Sequence, residues 1–496
     1  MSNFVVQFPL ITEIYQDDIL NKRFEIGRQI YNSLVNITQK RYKEMIKTKL
    51  YRNIKFKLAE IYKSEDKSKL KCKKELCNQL NELYKQYRLN EYSFHADIKL
   101  MQKHFRDNID AFTAQKIATT LWKSYDKLLF GNGNKVYFKR YGELNSLEGK
   151  SNNTGIRFKN NELIWNKLKI PVQIDYNNLY EYQSMQNKIS YCRIIRKYVR
   201  NKYKFYLQIV FKGIPPIKID NNTGEIKHLL GNGNVGLDIG TQTLAISSST
   251  DVKLIELADK VQNIENQKRL LLRKLDRSRR SINKDNYNSD GTIKKQGNKK
   301  VIWIKSNHYK AIQNQIKELY RKQADVRKLQ HEKLANYILS LGDNIYVETM
   351  DYAGLQKRTI KTEKNDKGKF KKKKRFGKSL ANKAPSMLLT IINRKLSYYG
   401  KQLNKIDTYS VKASQYNHLT DTYHKKKLSE RWNNFDGLKI QRDLYSAFLI
   451  MNINDDLKSI NRDRCFDTFD NFVRLHYKEI ERLRNSKVKK IASMGF

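Results

Sequence analysis

Cysteine is scarce: Cys72, Cys77, Cys192 and Cys465 are the only four in 496 residues. Cysteines so few and so scattered exclude a disulfide framework and a cysteine-built zinc site. Cys72 and Cys77 lie five apart on an expected helix, neither a CxxC pair nor i,i+4 neighbours. Long apolar runs are missing too. Without about 18 consecutive apolar residues nothing here reads as a membrane span. The opening stretch MSNFVVQFPLITEIYQDD lacks the basic lead and long apolar region of a signal peptide. A soluble intracellular protein without a membrane partner is the expectation. Internal repeats are absent. The last shortage is of acid: 50 Asp+Glu stand against 99 Lys+Arg, a net charge of +49.

That imbalance points to a polyanionic partner, since each phosphate neutralised by a cation releases counterions and adds affinity. At 39% hydrophobic residues the chain is globular. Its length allows roughly two to four domains and a sizeable core. A ribosomal or chromatin-type scaffold shares the cationic excess, usually in a shorter chain with fewer aromatics. Here 31 Tyr and 20 Phe supply faces on which unpaired bases stack, although most of them serve the core. Nucleic acid is the favoured partner.

Along the chain, Phe4 to Phe8 reads as a strand. Asp17 or Asp18 then serves as an N-cap, and Leu20, Phe24, Gly27, Tyr31 and Leu34 step along one helical face. Leu76, Leu80, Leu83 and Tyr87 repeat the spacing, as do Ile117, Leu121, Tyr125 and Leu128. Residues 17–131 form a basic helical module. After Gly131-Asn132-Gly133-Asn134 the period changes to that of strands. These are Val136–Lys139, Gly155–Phe158, Glu162–Trp165, Leu168–Ile174 and a hairpin of Ile189–Val199 with Tyr203–Phe211. They suit a β-barrel or curled sheet that the first strand joins. A polar linker follows, then a meander, then two long helices. The first carries Val261, Ile264, Leu271 and Leu275 on its apolar side. The second carries Ile312, Ile316, Leu319, Gln323 and Val326.

The meander opens with Val235-Gly236-Leu237-Asp238-Ile239-Gly240, an apolar strand holding one acid. Ionised carboxylates avoid burial unless paired or bound to metal. The flanking glycines allow a backbone or a ligand to come close. A strand-end aspartate can also be a simple turn former. Its partners are Glu348, ending the apolar strand Asn344–Val347, and Asp443, opening a helix at Gln441-Arg442-Asp443-Leu444. Taken singly, Glu348 reads as a solvated strand end and Asp443 as a helix-dipole partner. Together they follow the order meander, helices, strand, helix, strand, helix. That is the layout of an RNase H-like nuclease, with three carboxylates at one edge of a mixed α/β sheet. Two hard cations such as Mg²⁺ or Mn²⁺, held by carboxylate oxygens, suit phosphodiester hydrolysis without histidine or thiolate. Nearby, Arg269, Arg273, Lys274, Arg277, Arg279 and Arg280 line a helix suited to phosphates. A second basic run, Lys371, Lys372, Lys373, Lys374 and Arg375, suits a phosphate-tracking loop.

VGLDIGTQTLAISS, NIYVETMDYAGLQKR and QRDLYSAFLI resemble the three split RuvC motifs of the TnpB family, the insertion-sequence relatives of type V CRISPR effectors. SYCRIIRKYVRNKYKFYLQIVFKG is similar to the hairpin that closes that family's wedge domain. The resemblance implies an α+β multidomain fold. Residues 1–16 and 132–230 would form a wedge-like β-barrel, with a helical recognition lobe, 17–131, inserted in it. A RuvC-like nuclease domain would span 231–411 and 441–496. It also implies Asp238, Glu348 and Asp443 as catalytic acids, a guide RNA and double-stranded DNA as partners, and cleavage beside a short flanking motif. A cytoplasmic, nucleoid-associated prokaryotic setting goes with it.

The chain departs from the family in one place. The usual four-cysteine zinc ribbon should fall in 412–440, yet that interval has no cysteine, and His418 and His424 alone make a poor site. The expectation is a degenerate, zinc-free insertion. Two other readings share the features: a guide-directed binding protein without cleavage, and a transposase or resolvase needing no guide. A pure binder has no use for three clustered acids, and a resolvase has no use for the barrel and helical lobe.

Overall fold

The computed structural model describes residues 3–64, 70–131, 133–200, 202–220, 222–261, 263–294, 297, 301–356, 376–427, 429–435, 437–487 and 490–496. The chain divides into two compact units, Met1–Asn221 and Asn222–Phe496.

The first unit starts with strand β1 (Asn3–Pro9) and five helices: α1 (Ile14–Lys47), α2 (Lys49–Ser64), α3 (Leu70–Gln86), α4 (Glu91–His104) and α5 (Ala111–Leu129). Four short strands follow, β2 (Ser146–Glu148), β3 (Arg157–Lys159), β4 (Glu162–Trp165) and β5 (Leu168–Pro171). Helix α6 (Leu179–Met185) then leads into the long hairpin β6 (Ile189–Val199) and β7 (Lys202–Lys212). The strands form two sheets, ordered β1-β7-β6-β2 and β3-β4-β5, joined edge to edge by a Leu10–Val172 bridge where the chain leaves β1 and β5. Asn160, Asn161 and Asn166 adopt φ of 51°, 60° and 53°, the left-handed turns that fold β3, β4 and β5 into an antiparallel meander.

Helix α1 begins earlier than Asp17 or Asp18. Glu13 caps it, accepting from the main chain of Gln16, while the Gln16 side chain accepts the Glu13 N–H at 2.9 Å. Its expected face is buried in full: Leu20, Phe24, Gly27, Tyr31 and Leu34. Arg196 of β6 is buried against that face, its guanidinium 4.7 Å from the rings of Phe24 and Tyr203 and 2.7 Å from Glu25. Residues 136–139 are not a strand. Side chains of α1 take up their main-chain groups, so no neighbouring strand is required.

The second unit opens with the expected antiparallel meander, β8 (Asn234–Ile239), β9 (Thr243–Ser248) and β10 (Val252–Glu256). Two helices follow, α7 (Glu265–Ile282) and α8 (Asn307–Leu341), then β11 (Asn344–Glu348). Next come α9 (Tyr352–Gln356), α10 (Gly377–Lys383), α11 (Pro385–Ser397) and β12 (Asn404–Ile406). The sheet order is β10-β9-β8-β11-β12, with β11 parallel to both β8 and β12. The strand expected over 405–411 stops at Ile406, because Asp407 caps the short helix α12 (Thr408–Val411). Helix α7 also differs from expectation: Leu271 and Leu275 are only half-buried, and none of its residues is fully enclosed.

Beyond α12 lie two small hairpins, β13 (Tyr416–Asn417) with β14 (Thr422–Tyr423) and β15 (Trp432–Phe435) with β16 (Leu438–Gln441). Helices α13 (Arg442–Met451) and α14 (Arg462–Asn485) end the fold. One sheet face packs Leu237, Ile345 and Val347 against Ile338 of α8 and Leu388 of α11. The other packs Ala245, Leu254 and Tyr346 under Ala447, Phe448 and Phe472.

The β13–β14 hairpin docks on α13 and α14 through His418. Its ring is fully buried among Tyr445, Phe448, Phe466 and Phe469, with Nδ1 2.6 Å from the Tyr445 hydroxyl. Arg462 donates to the carbonyls of His418 and Leu419 at 2.7 and 2.8 Å. His424 is exposed, so the two histidines do not converge.

Burial lowers His418 and His476 to about 4, which keeps both rings neutral when folded. The unfolded chain protonates them near 6.5. Stability from this source is therefore full above about pH 6.5 and is lost as pH falls towards 4, on the order of 3 kcal/mol for each ring. Urea unfolding of the second unit should show this decline between those pH values. His418→Phe should remove about one proton from the slope, and an unchanged slope would contradict the assignment.

Candidate active site

Asp238 sits on β8, whose neighbours on both sides fix where its side chain points. Residues 235, 237 and 239 face the α8 and α11 core, so Gly236 and Asp238 face α13. Glycine at 236 is a steric requirement. An added Cβ would stand 2.0 Å from the Ala447 carbonyl oxygen and 2.4 Å from the Met451 nitrogen. The backbone of α13 thus rests directly on β8 at Gly236. Asp443 lies one helical turn before Ala447, which brings it over the next residue on that face, Asp238.

Glu348 arrives by register. β8 and β11 are parallel, and Leu237 pairs with Val347. The residues that follow, Asp238 and Glu348, therefore project from the same face of adjacent strands. Glu348 is the last residue of β11 and Asp443 lies in the first turn of α13. All three acids are half-buried. The Asp238 carboxyl is pushed well above its ordinary range, first by burial and then by the charges of Asp443 and Glu348, with Arg442 and Arg431 opposing. Burial also raises Glu348. The three carboxylates expected to meet are thus brought within electrostatic reach of one another.

Two arginines escaped the sequence reading. Arg431 Nη1 and Arg442 Nε each stand 3.6 Å from the Asp443 carboxylate. Arg442 precedes Asp443 in sequence and offered a signal. Arg431 offered none, because the β15–β16 hairpin delivers it, its carbonyl accepting the Arg442 N–H at 2.9 Å. Tyr352, four residues after Glu348, was also missed. Its hydroxyl is buried without a partner among the described residues, and burial together with the Asp238 charge raises its pKa.

The donor set fits a hard divalent cation: it is all oxygen, anionic and mutually repulsive. The described residues include no ready-made cage of three or more metal-ligating side chains, and the Asp443 carboxylate lies beside its two arginines.

The basic helix behaves unevenly. Arg269, Arg273 and Arg277 line one cleft of about 780 Å³ with Lys268 and Lys378. Arg280 is engaged within the unit: it pairs with Asp276 at 2.8 Å, donates to the Gly291 carbonyl at 3.1 Å and covers the Tyr287 ring at 4.7 Å. Lys274 is exposed outside the cleft. Lys371, Lys372, Lys373, Lys374 and Arg375 lie outside the described residues.

A raised carboxyl pKa means that ionisation costs stability at neutral pH. Asp238→Asn should therefore raise the metal-free melting temperature of the second unit by a few degrees. Millimolar Mg²⁺ should raise the melting temperature of the wild type and leave that of Asp238→Asn unmoved. A wild-type melting temperature indifferent to Mg²⁺ and Mn²⁺ would count against a metal centre.

No protein-family model matches the chain, and no curated protein matches it. Among solved structures the chain is similar to a Cas12f1–sgRNA–target DNA complex, at 10% identity and a TM-score of 0.41, covering 91% of this chain and 99% of that one. A CRISPR-Cas12f ternary complex matches at 12% identity and a TM-score of 0.23, covering 88% and 82%. A Cas12i–crRNA–double-stranded DNA complex matches at 8% identity and a TM-score of 0.24, covering 94% and 65%.

Proposed function

We propose that the chain is an RNA-guided DNA endonuclease whose phosphodiester hydrolysis takes place at Asp238, Glu348 and Asp443. The observation behind the reading is the in-register pair Asp238 and Glu348 on parallel strands, with the first turn of α13 seated over it. Three acids gathered against their own repulsion, in a chain of net charge +49, are best explained by cations they bind. Guidance by RNA rests on the resemblance of the three motifs to those of TnpB.

Asp238, Glu348 and Asp443 would hold Mg²⁺ or Mn²⁺, which would supply the charge that activates water and steadies the leaving oxygen. The chain's own residues do the rest. β8 and β11 fix the two strand-borne carboxylates, and α13 fixes the third. Arg431 and Arg442 would receive non-bridging oxygens of the scissile phosphate and orient it beside Asp443. Half-burial of the carboxylates keeps bulk water from screening these contacts. The insertion needs no zinc in this reading, because His418 and its ring of aromatics hold it to α13 and α14. The cleft of Arg269, Arg273 and Arg277 would follow a nucleic-acid backbone.

Asp238→Ala, Glu348→Ala and Asp443→Ala should each abolish Mg²⁺-dependent cutting while guide-directed DNA binding survives, since no phosphate contact is removed. A variant that cuts at the wild-type rate would remove that residue from the site. Sequencing co-purified RNA separates a guided enzyme from a guide-independent resolvase. Elemental analysis should find no stoichiometric zinc.

The combined variant Arg269→Gln, Arg273→Gln, Arg277→Gln should weaken binding similarly for all matched targets. It should flatten the dependence of log K on log salt by up to about three units, close to one for each lost contact. Flanking-motif preference should not change, because phosphate contacts position without specifying. An unaltered slope would make the row a solvated face.

A further inference from the structure

We propose that residues 135–141 form a stacking surface for the unpaired bases of a single-stranded nucleic acid. The segment reads Lys135-Val136-Tyr137-Phe138-Lys139-Arg140-Tyr141, and Val136 alone is buried. Tyr137 is 69% exposed, Phe138 49% and Tyr141 79%. Three large rings left in water within five residues are an unusual use of apolar surface, and such patches mark binding sites.

The strap belongs to no helix or strand, yet it is held. Gln39 donates to the Val136 carbonyl at 2.9 Å, and Asn32 donates to the Lys139 carbonyl at 2.8 Å while accepting its N–H at 2.9 Å. Arg28 adds a bond to that carbonyl at 3.3 Å, and Glu25 accepts the Gly142 N–H at 3.1 Å. With these main-chain groups satisfied from α1, the side chains are displayed outward at little further cost in order.

The surroundings choose the occupant. Lys135 is exposed, with its ammonium 5.5 Å from the Tyr137 ring, and the Lys139 ammonium covers Tyr31 at 5.0 Å. Arg140 is exposed as well. At the far end the strap reaches the Tyr198–Tyr203 pair, since a Cβ on Gly142 would come within 2.9 Å of the Tyr203 hydroxyl. Lys202 and Lys204 flank that pair, both exposed. The acids here are engaged: Glu143 accepts the Arg140 N–H, and Glu25 pairs with Arg28 and Arg196. Aromatic faces interleaved with cations suit bases on a phosphate backbone, whereas the core of a protein-docking patch is depleted in lysine. Duplex bases already stack on one another, so the surface selects single strands. The proposal stands apart from the nuclease reading, because every residue in it belongs to the first unit.

The test is fluorescence anisotropy of the full chain in metal-free buffer. The probes are labelled oligothymidylate, oligouridylate and a duplex of equal length. The combined variant Tyr137→Ala, Phe138→Ala, Tyr141→Ala should bind single strands about tenfold to a hundredfold more weakly, with the salt slope unchanged. Duplex affinity should hold, and Tyr137→Phe with Tyr141→Phe should bind as the wild type does. Tyr141→Ala alone, at the most exposed ring, should give a smaller loss in the same direction with an unaltered melting curve. A loss confined to one oligomer supports the surface and names its source as DNA or RNA. Equal losses on duplex and single strand, or no loss in a folded variant, would overturn it.

Discussion

The contact on which the second unit depends is the one between the α13 backbone and β8 at Gly236. No side chain larger than hydrogen fits there, since a Cβ would penetrate both the Ala447 carbonyl and the Met451 nitrogen. A helix seated so closely has little freedom to slide or rotate. Helical periodicity then places Asp443 over Asp238, one turn from the contact. Parallel register places Glu348 beside Asp238 without any further device. Three residues spread over about two hundred positions of sequence are thereby assembled by one steric fit and one strand pairing.

Assembly of this kind is electrostatically costly, and the chain offsets the cost locally. Arg431 and Arg442 face Asp443, while the Asp238 carboxyl is left strongly perturbed. Arg431 reaches its place only because the insertion is folded and docked. The insertion is packed onto α13 and α14 by a neutral histidine, its hydroxyl partner Tyr445 and three phenylalanines. Aromatic packing of that kind is not undone by chelation. It is sensitive to acid, because protonating His418 would bury a charge.

The parts legible in the sequence were those dictated by backbone and periodicity. An aspartate within a glycine-flanked apolar strand, the long β6–β7 hairpin and the buried face of α1 all follow from local pattern. What escaped depended on side chains supplied from elsewhere. Val136 to Lys139 alternates like a strand, but Asn32 and Gln39 satisfy its main chain in place of a neighbouring strand. Lys405 to Val411 looked continuous until Asp407 capped a helix. Arg431 has no local signature, since its role arises from a hairpin turning it toward Asp443. Strand β2 (Ser146–Glu148) was not legible either, and the asparagine turns that separate β3, β4 and β5 are visible only as positive φ angles.

The two nucleic-acid surfaces proposed above lie in different units and would obey different physics. The α7 cleft presents arginines to solvent with little burial, so any affinity it supplies comes from counterion release and fades with salt. The strap of the first unit presents rings, whose attraction comes from stacking and desolvation and persists when phosphates are screened. A backbone-tracking cleft is indifferent to whether bases are paired, whereas a ring surface can engage only bases that are not. A chain that carried the first alone would hold duplex and single strand alike. A chain with both, as proposed, would separate the two states of one nucleic acid without reading its sequence.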